Sequence, residues 1–177
     1  ELWPCILEKA WAKLHGSYQA IESGDPSSTL RDLTGAPSQF VSCDDVDCDA
    51  DSPPLLWQAM LDADRKGYLM AAGMAASLTR SEYVRADGLI AGHCYGILKA
   101  VDLGCAEQRL IKLRNPWGKT EWTGDWSDSS TLWTAQLKKK LGFTAAEDGT
   151  FWMQLRDFAN HFEGVHINHC HPTWQYR

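Results

Sequence analysis

Apolar positions fall at helical spacing near the start of the chain and at strand spacing over most of the rest. Ile6, Leu7, Ala10, Trp11 and Leu14 recur on one helical face, so residues 2–15 are expected to form a helix. Pro4 suits its first turn and Gly16 its end. A mixed segment follows, with turn signals at Gly24-Asp25-Pro26 and Gly35-Ala36-Pro37. An acidic loop then runs into a second helix, with Ser52 as the expected cap, Pro53 in the first turn and Gly67 after the last. Beyond it the runs are short, and apolar or alternating. They are 67–74, 93–103, 108–116 and 150–155, read as strands. Residues 131–143 read as a short helix, and 156–170 as a helix followed by a last strand. Helices come first and mainly antiparallel strands after them. The expected class is therefore α+β, and residues 1–177 are expected to form one domain.

Composition narrows the function. The 177 residues are 44% hydrophobic and 23% charged, as in ordinary globular proteins, and the formal net charge is -6. An acidic balance argues against nucleic acid, because phosphate binding needs clustered Lys and Arg. The one basic run, Leu137-Lys138-Lys139-Lys140, reads as a solvated helix end. No apolar run approaches the ~20 residues that span a bilayer, and no secretory signal is visible at the start. The chain reads as a piece or processed product of a longer protein, and a reduced, cytoplasmic setting is expected. Of the six cysteines, Cys5, Cys94 and Cys105 are expected to be small buried hydrophobes.

The chemistry centres on two segments, GLIAGHCYGILKA (88–100) and LRNPWGKTEWTGDWSD (113–128). A general-base imidazole needs a partner that fixes its tautomer and orientation. A side-chain amide oxygen can accept from one ring N–H and leave the other nitrogen free. His93 and Asn115 would meet on neighbouring antiparallel strands joined by the turn near Gly104, with Trp117 covering their hydrogen bond. A His then Asn order, with Asn beside Trp, is the second half of a Cys-His-Asn protease.

The order and length of the motifs resemble the calpain family, the calcium-dependent, papain-like cysteine proteases. ELWPCILEKAWAKLHGSY resembles the family's opening helix and DGLIAGHCYGI its histidine motif. LIKLRNPWGKTEWTGDWSD resembles its asparagine motif, and EDGTFWMQLRDF its closing strand and helix. The resemblance implies the second subdomain of the protease core, an antiparallel barrel or sandwich with flanking helices. It implies His93 as general base, Asn115 as its orienting partner and Trp117 as a mobile residue beside the cleft. It also implies a Ca²⁺ site with carboxylates from Glu121, Asp128 and Asp148 and the carbonyl of Ala146. Thr150 stands where the family has a further Glu, so the site should be weak.

The family's nucleophile lies in a Gly-Asp-Cys-Trp context in the preceding subdomain, and that context does not occur here. Cys94 follows His93 and, in a strand, would point to the opposite face. Cys43 and Cys48 lie in an acidic loop that would blunt a thiol. The implied partners are thus the subdomain that bears the catalytic Cys, and protein substrates. The chain alone is expected to be inactive. A calcium-sensing or partner-binding module without catalysis is the alternative. Asp44–Asp51 lacks the Gly and Glu of an EF-hand loop, and the histidines of residues 166–171 lack a second ligand pair for zinc.

Overall fold

A computed structural model describes residues 2–44, 46, 54–75, 82–171 and 173. Helix α1 (Trp3–His15) carries Pro4 in its first turn and stops at Gly16. Helix α2 (Pro26–Thr34) starts where the Asp25 side chain accepts from Ser28 N at 2.8 Å. It ends at Gly35, which is left-handed (φ 71°) and donates to the Arg31 carbonyl. Strand β1 (Ser38–Ser42) follows. Helix α3 (Leu55–Lys66) is closed by Gly67, and β2 (Leu69–Gly73) leaves it directly. A small hairpin pairs β3 (Tyr83–Val84) with β4 (Ile90–Ala91). Then come β5 (Cys94–Asp102), β6 (Arg109–Arg114), α4 (Ala135–Leu141), β7 (Thr150–Gln154), α5 (Leu155–His161) and β8 (Gly164–Asn168).

The class is α+β, as the patterning implies. Six strands form one antiparallel sheet in the order β1-β8-β2-β5-β6-β7. The sheet stays open between edge strands β1 and β7, so it is not a closed barrel. The expected strands 67–74, 93–103, 108–116 and 150–155 coincide with β2, β5, β6 and β7. Sequence patterning did not resolve α2, β1 or the β3–β4 hairpin. The cap expected at Ser52 and the proline at Pro53 lie outside the described residues, as does Cys48; the first described residues here are Pro54 and the helix from Leu55.

The sheet is covered on both faces over β6 and β7, whose burial is nearly continuous, while burial alternates along the central strands β2 and β5. On one face α3 brings Leu56, Trp57 and Met60 against Ile97, Leu113, Phe151, Met153 and Val165. On the other, Trp152 and Leu110 meet Trp126 and Trp133, whose rings stand edge to face at 5.0 Å. Alternation along β7 sends Phe151 and Met153 to the first cluster and Trp152 to the second.

The amphipathic face of α1 is not inside this core. Leu2, Trp3, Ile6 and Leu14 are between 62% and 77% exposed. Cys5 and Cys105 are exposed too, contrary to the buried setting expected for them. Amphipathicity identifies the side of a helix that seeks cover, and here the cover is not supplied by the described residues. Among those residues, no helix is long and apolar enough to cross a membrane.

Candidate active site

His93 and Asn115 meet because β5 and β6 are antiparallel neighbours. Gly96 pairs with Arg114, so the residues just beyond this end of the ladder face each other. Asn115 N donates to the Gly149 carbonyl at 2.8 Å, tying the turn after β6 to the approach of β7. A Cβ at Gly149 would stand 2.7 Å from the Asn115 carbonyl oxygen, and its φ of +82° also favours glycine there.

Asn115 is fully buried, and its side chain is saturated. Its Nδ2 donates to the carbonyls of Lys119 (2.6 Å) and Thr120 (3.1 Å). Its Oδ1 accepts from Trp117 N (3.0 Å) and faces His93 Nε2 at 2.9 Å. Two carbonyls on the nitrogen fix the amide orientation, so Oδ1 is the acceptor and His93 Nε2 carries the proton. Thr120 holds a left-handed φ of 66°, unfavourable for a β-branched residue. That strained residue presents one of the two carbonyls that orient Asn115.

His93 itself is 8% exposed. Its ring meets Tyr95 edge-on at 5.1 Å and Trp117 at 4.7 Å, tilted by 53°. The Trp117 ring thus lies against His93 while the residue remains 47% exposed. The Tyr95 hydroxyl accepts from Ile90 N at 2.8 Å, and burial pushes its pKa up to about 12. Neutral Tyr95 is thus a wall of the site.

His93 borders a cleft of about 1040 Å³, with Glu82, Cys94, Pro116, Glu163 and His166 on its walls. His93 lies just before β5, buried like Tyr95 and in ring contact with it, while the intervening Cys94 is only partly buried, and both His93 and Cys94 border the cleft. Burial raises the Cys94 thiol to about 11, which leaves it a poor nucleophile at neutral pH. The sequence did not single out Glu82, whose carboxylate contacts His93 Nδ1. Its signal was Asp87-Gly88 flanked by apolar residues, a hairpin turn that folds residue 82 back beside residue 93.

The acidic loops lie together at the start of β7. Glu121 Oε1 accepts from Asp148 N (3.0 Å) and Gly149 N (2.7 Å), and Asp128 Oδ2 accepts from Ala146 N (2.8 Å). Asp148 Oδ1 accepts from Thr150 N (2.8 Å), and the Ala146 carbonyl accepts from Asp148 N (2.8 Å). Burial, reinforced by the neighbouring carboxylates, raises Glu121 and Asp128 above the ordinary carboxylate range. The amide and hydroxyl of Thr150 lower Asp148. The five expected residues are thus linked in one network. Among the described residues, no three His, Cys, Asp or Glu side chains converge as a metal cage.

Comparison with known proteins decides the family. Residues 1–170 match the model described as "Calpain family cysteine protease". The chain belongs to the calpain family. It is 37% identical over 175 residues to the calpain-type cysteine protease DEK1 of Zea mays, covering 97% of this chain and 8% of that protein. It is 36% identical to Calpain-B of Drosophila melanogaster and to Calpain-9 of Rattus norvegicus, again over 97% of this chain. It spans 19% and 25% of those two relatives. A cysteine protease domain of calpain type is therefore established, and it spans only part of the length of these relatives.

Proposed function

We propose that this calpain-family chain, acting as one domain, supplies the His and Asn of a calcium-regulated, cytoplasmic cysteine endopeptidase. The nucleophilic Cys comes from another segment of the protease core. One observation carries the reading. Asn115 Oδ1 holds His93 Nε2 beneath Trp117, while Nδ1 is turned to Glu82 on the cleft wall. A base fixed through one nitrogen and presented through the other is what thiol activation requires.

In this reading the substrate is an extended protein segment lying in the cleft. Nδ1 takes the thiol proton as the sulfur attacks the scissile carbonyl, then returns a proton to the leaving amine. Asn115 keeps the ring in plane through both transfers, and Trp117 keeps water from their hydrogen bond. The exposed apolar face of α1 would meet the Cys-bearing subdomain, which would also complete the cleft.

For Ca²⁺, Glu121, Asp128 and Asp148 with the Ala146 carbonyl form an all-oxygen set suited to a hard cation. They would have to draw closer around it, and the neutral Thr150 makes the site weak. Bound calcium would supply positive charge that relieves their mutual repulsion. His93→Ala in the full-length protein tests the catalytic reading. Loss of peptide hydrolysis with unchanged thermal stability is expected, and retained turnover would remove His93 from the mechanism.

A further inference from the structure

Hairpin register places an acid on the working face of the base. β3 and β4 pair Tyr83 with Ala91 and Val84 with Ile90. The next positions outward are Glu82 and Gly92, and His93 follows. Gly92 is left-handed (φ 71°), which turns the chain from β4 toward β5. Glu82 Oε1 thereby comes into direct contact with His93 Nδ1.

Both ring nitrogens are then occupied. Asn115 takes Nε2, and its four hydrogen bonds keep it from swinging to the other side. The carboxylate occupies the Nδ1 side of the ring, the side that a thiol would have to approach. Glu82 differs from Asn115 in one respect that matters. Its side chain is 37% exposed on the cleft wall, whereas Asn115 is fully buried. The hairpin is anchored at its far end, where Thr123 N donates to the Asp87 carbonyl (3.0 Å) and Arg85 pairs with Asp87 (2.6 Å). Arg85 also lies 3.1 Å from His161 Nδ1. The Glu82 side chain can therefore rotate into water without moving the hairpin.

We propose that Glu82 is an autoinhibitory latch: its carboxylate holds His93 Nδ1 until the nucleophile-bearing segment docks and displaces it. The inference rests on the catalytic reading of His93 above. Carboxylate and sulfur compete for one imidazole nitrogen, so docking must break the Glu82 contact before the thiol proton can reach Nδ1. On release the proton shared between Nδ1 and the carboxylate leaves with Glu82 as the carboxylic acid and passes to water, which frees the Nδ1 lone pair for the thiol proton.

Proton NMR of the chain and of full-length protein variants tests this. Wild-type chain should show a downfield Nδ1–H resonance from His93 in addition to Nε2–H. Glu82→Ala should lose the first and keep the second, and Glu82→Gln, a neutral acceptor, should move the first upfield. An Nδ1–H signal unchanged in Glu82→Ala overturns the latch. In the full-length protein, Glu82→Ala should raise kcat/KM by about tenfold, the order of one charge-assisted hydrogen bond. A fall in turnover would instead make Glu82 a positioning residue and overturn the latch. Failure of the catalytic reading is distinguishable, because His93→Ala would then leave turnover intact whatever Glu82 does.

Discussion

A Cβ on Gly88 would stand 1.9 Å from the carbonyl oxygen of Glu121. The tip of the β3–β4 hairpin thus lies flush against the backbone of the acidic loop, and Asp87 and Thr123 bond beside it. Gly88 also has φ +82°, so an L side chain there is strained in conformation as well as in space. Gly88→Ala should destabilise the chain by about 1–3 kcal/mol. Chemical denaturation measures it, and a variant as stable as wild type would show that the hairpin does not sit against this loop.

Asn115→Ala should slow turnover of the full-length protein by up to about 10⁴-fold in kcat, by analogy with losing the residue that orients a triad's base. The KM should change little, because Asn115 is buried beneath Trp117 and does not reach the cleft. A kcat equal to wild type would show that His93 is oriented by something else.

Asp102 holds together the far end of the β5–β6 ladder. Its Oδ2 accepts from Trp57 Nε1 at 2.9 Å and lies 3.8 Å from Nε of the buried Arg109. Arg109 Nε and Nη1 have no hydrogen-bond partner within the described residues. Asp102→Ala should cost about 2–4 kcal/mol, since it leaves a buried guanidinium without its counter-charge and an indole N–H without its acceptor. Thermal unfolding checks this, and a loss under about 0.5 kcal/mol, the size of an ordinary surface substitution, would contradict it.

Much of this arrangement was legible in the residues, and the failures share a cause. β5, β6 and β7 were read correctly because long apolar runs end at clear turns, and the ladder then forces His93 onto Asn115. α2 and β1 were missed because they are short and mostly polar, and the hairpin because its strands are only two residues each. What holds them is the Asp25 cap, the Gly35 stop and the Asp87-Gly88 turn rather than a hydrophobic period. Glu82 was invisible for the same reason. It reaches His93 only through a hairpin register that the pattern did not reveal. The stripe on α1 was read correctly as a face, yet an apolar face says nothing about where its partner lies.

His166 provides a pH test. Its Nδ1 lies 2.7 Å from Ser27 Oγ, and Phe40 packs on the ring at 4.8 Å. Burial, the largest influence, lowers its pKa, although Asp25 and Glu163 pull the other way. An unfolded histidine titrates near ~6.5, so below that pH the unfolded chain binds the extra proton. The stability that neutral His166 contributes is therefore present above about pH 6.5 and is lost as pH falls. His166→Asn should flatten the stability profile between about pH 7.5 and 5.5. Parallel profiles for the two proteins would show that His166 is not held neutral by the fold.

Isothermal calorimetry with calcium tests the acidic loops. A dissociation constant on the order of 10⁻⁴ M or above is expected. Thr150→Glu should tighten it by adding a carboxylate beside Asp148, and Asp128→Asn should abolish it. Absence of heat in both wild type and Thr150→Glu at millimolar calcium would place any calcium control elsewhere in the protein.

Peptide hydrolysis by the pure chain, alone and tethered to the Cys-bearing segment, tests the central claim most directly. The chain alone should cleave nothing, because the Gly-Asp-Cys-Trp context of the family's nucleophile does not occur in it. The tethered protein should cleave a fluorogenic peptide, and lose that activity on thiol alkylation or with His93→Ala. Cleavage by the chain alone that thiol alkylation blocks, or full activity of tethered His93→Ala, would contradict the assignment of His93 and Asn115 to half of a shared active site.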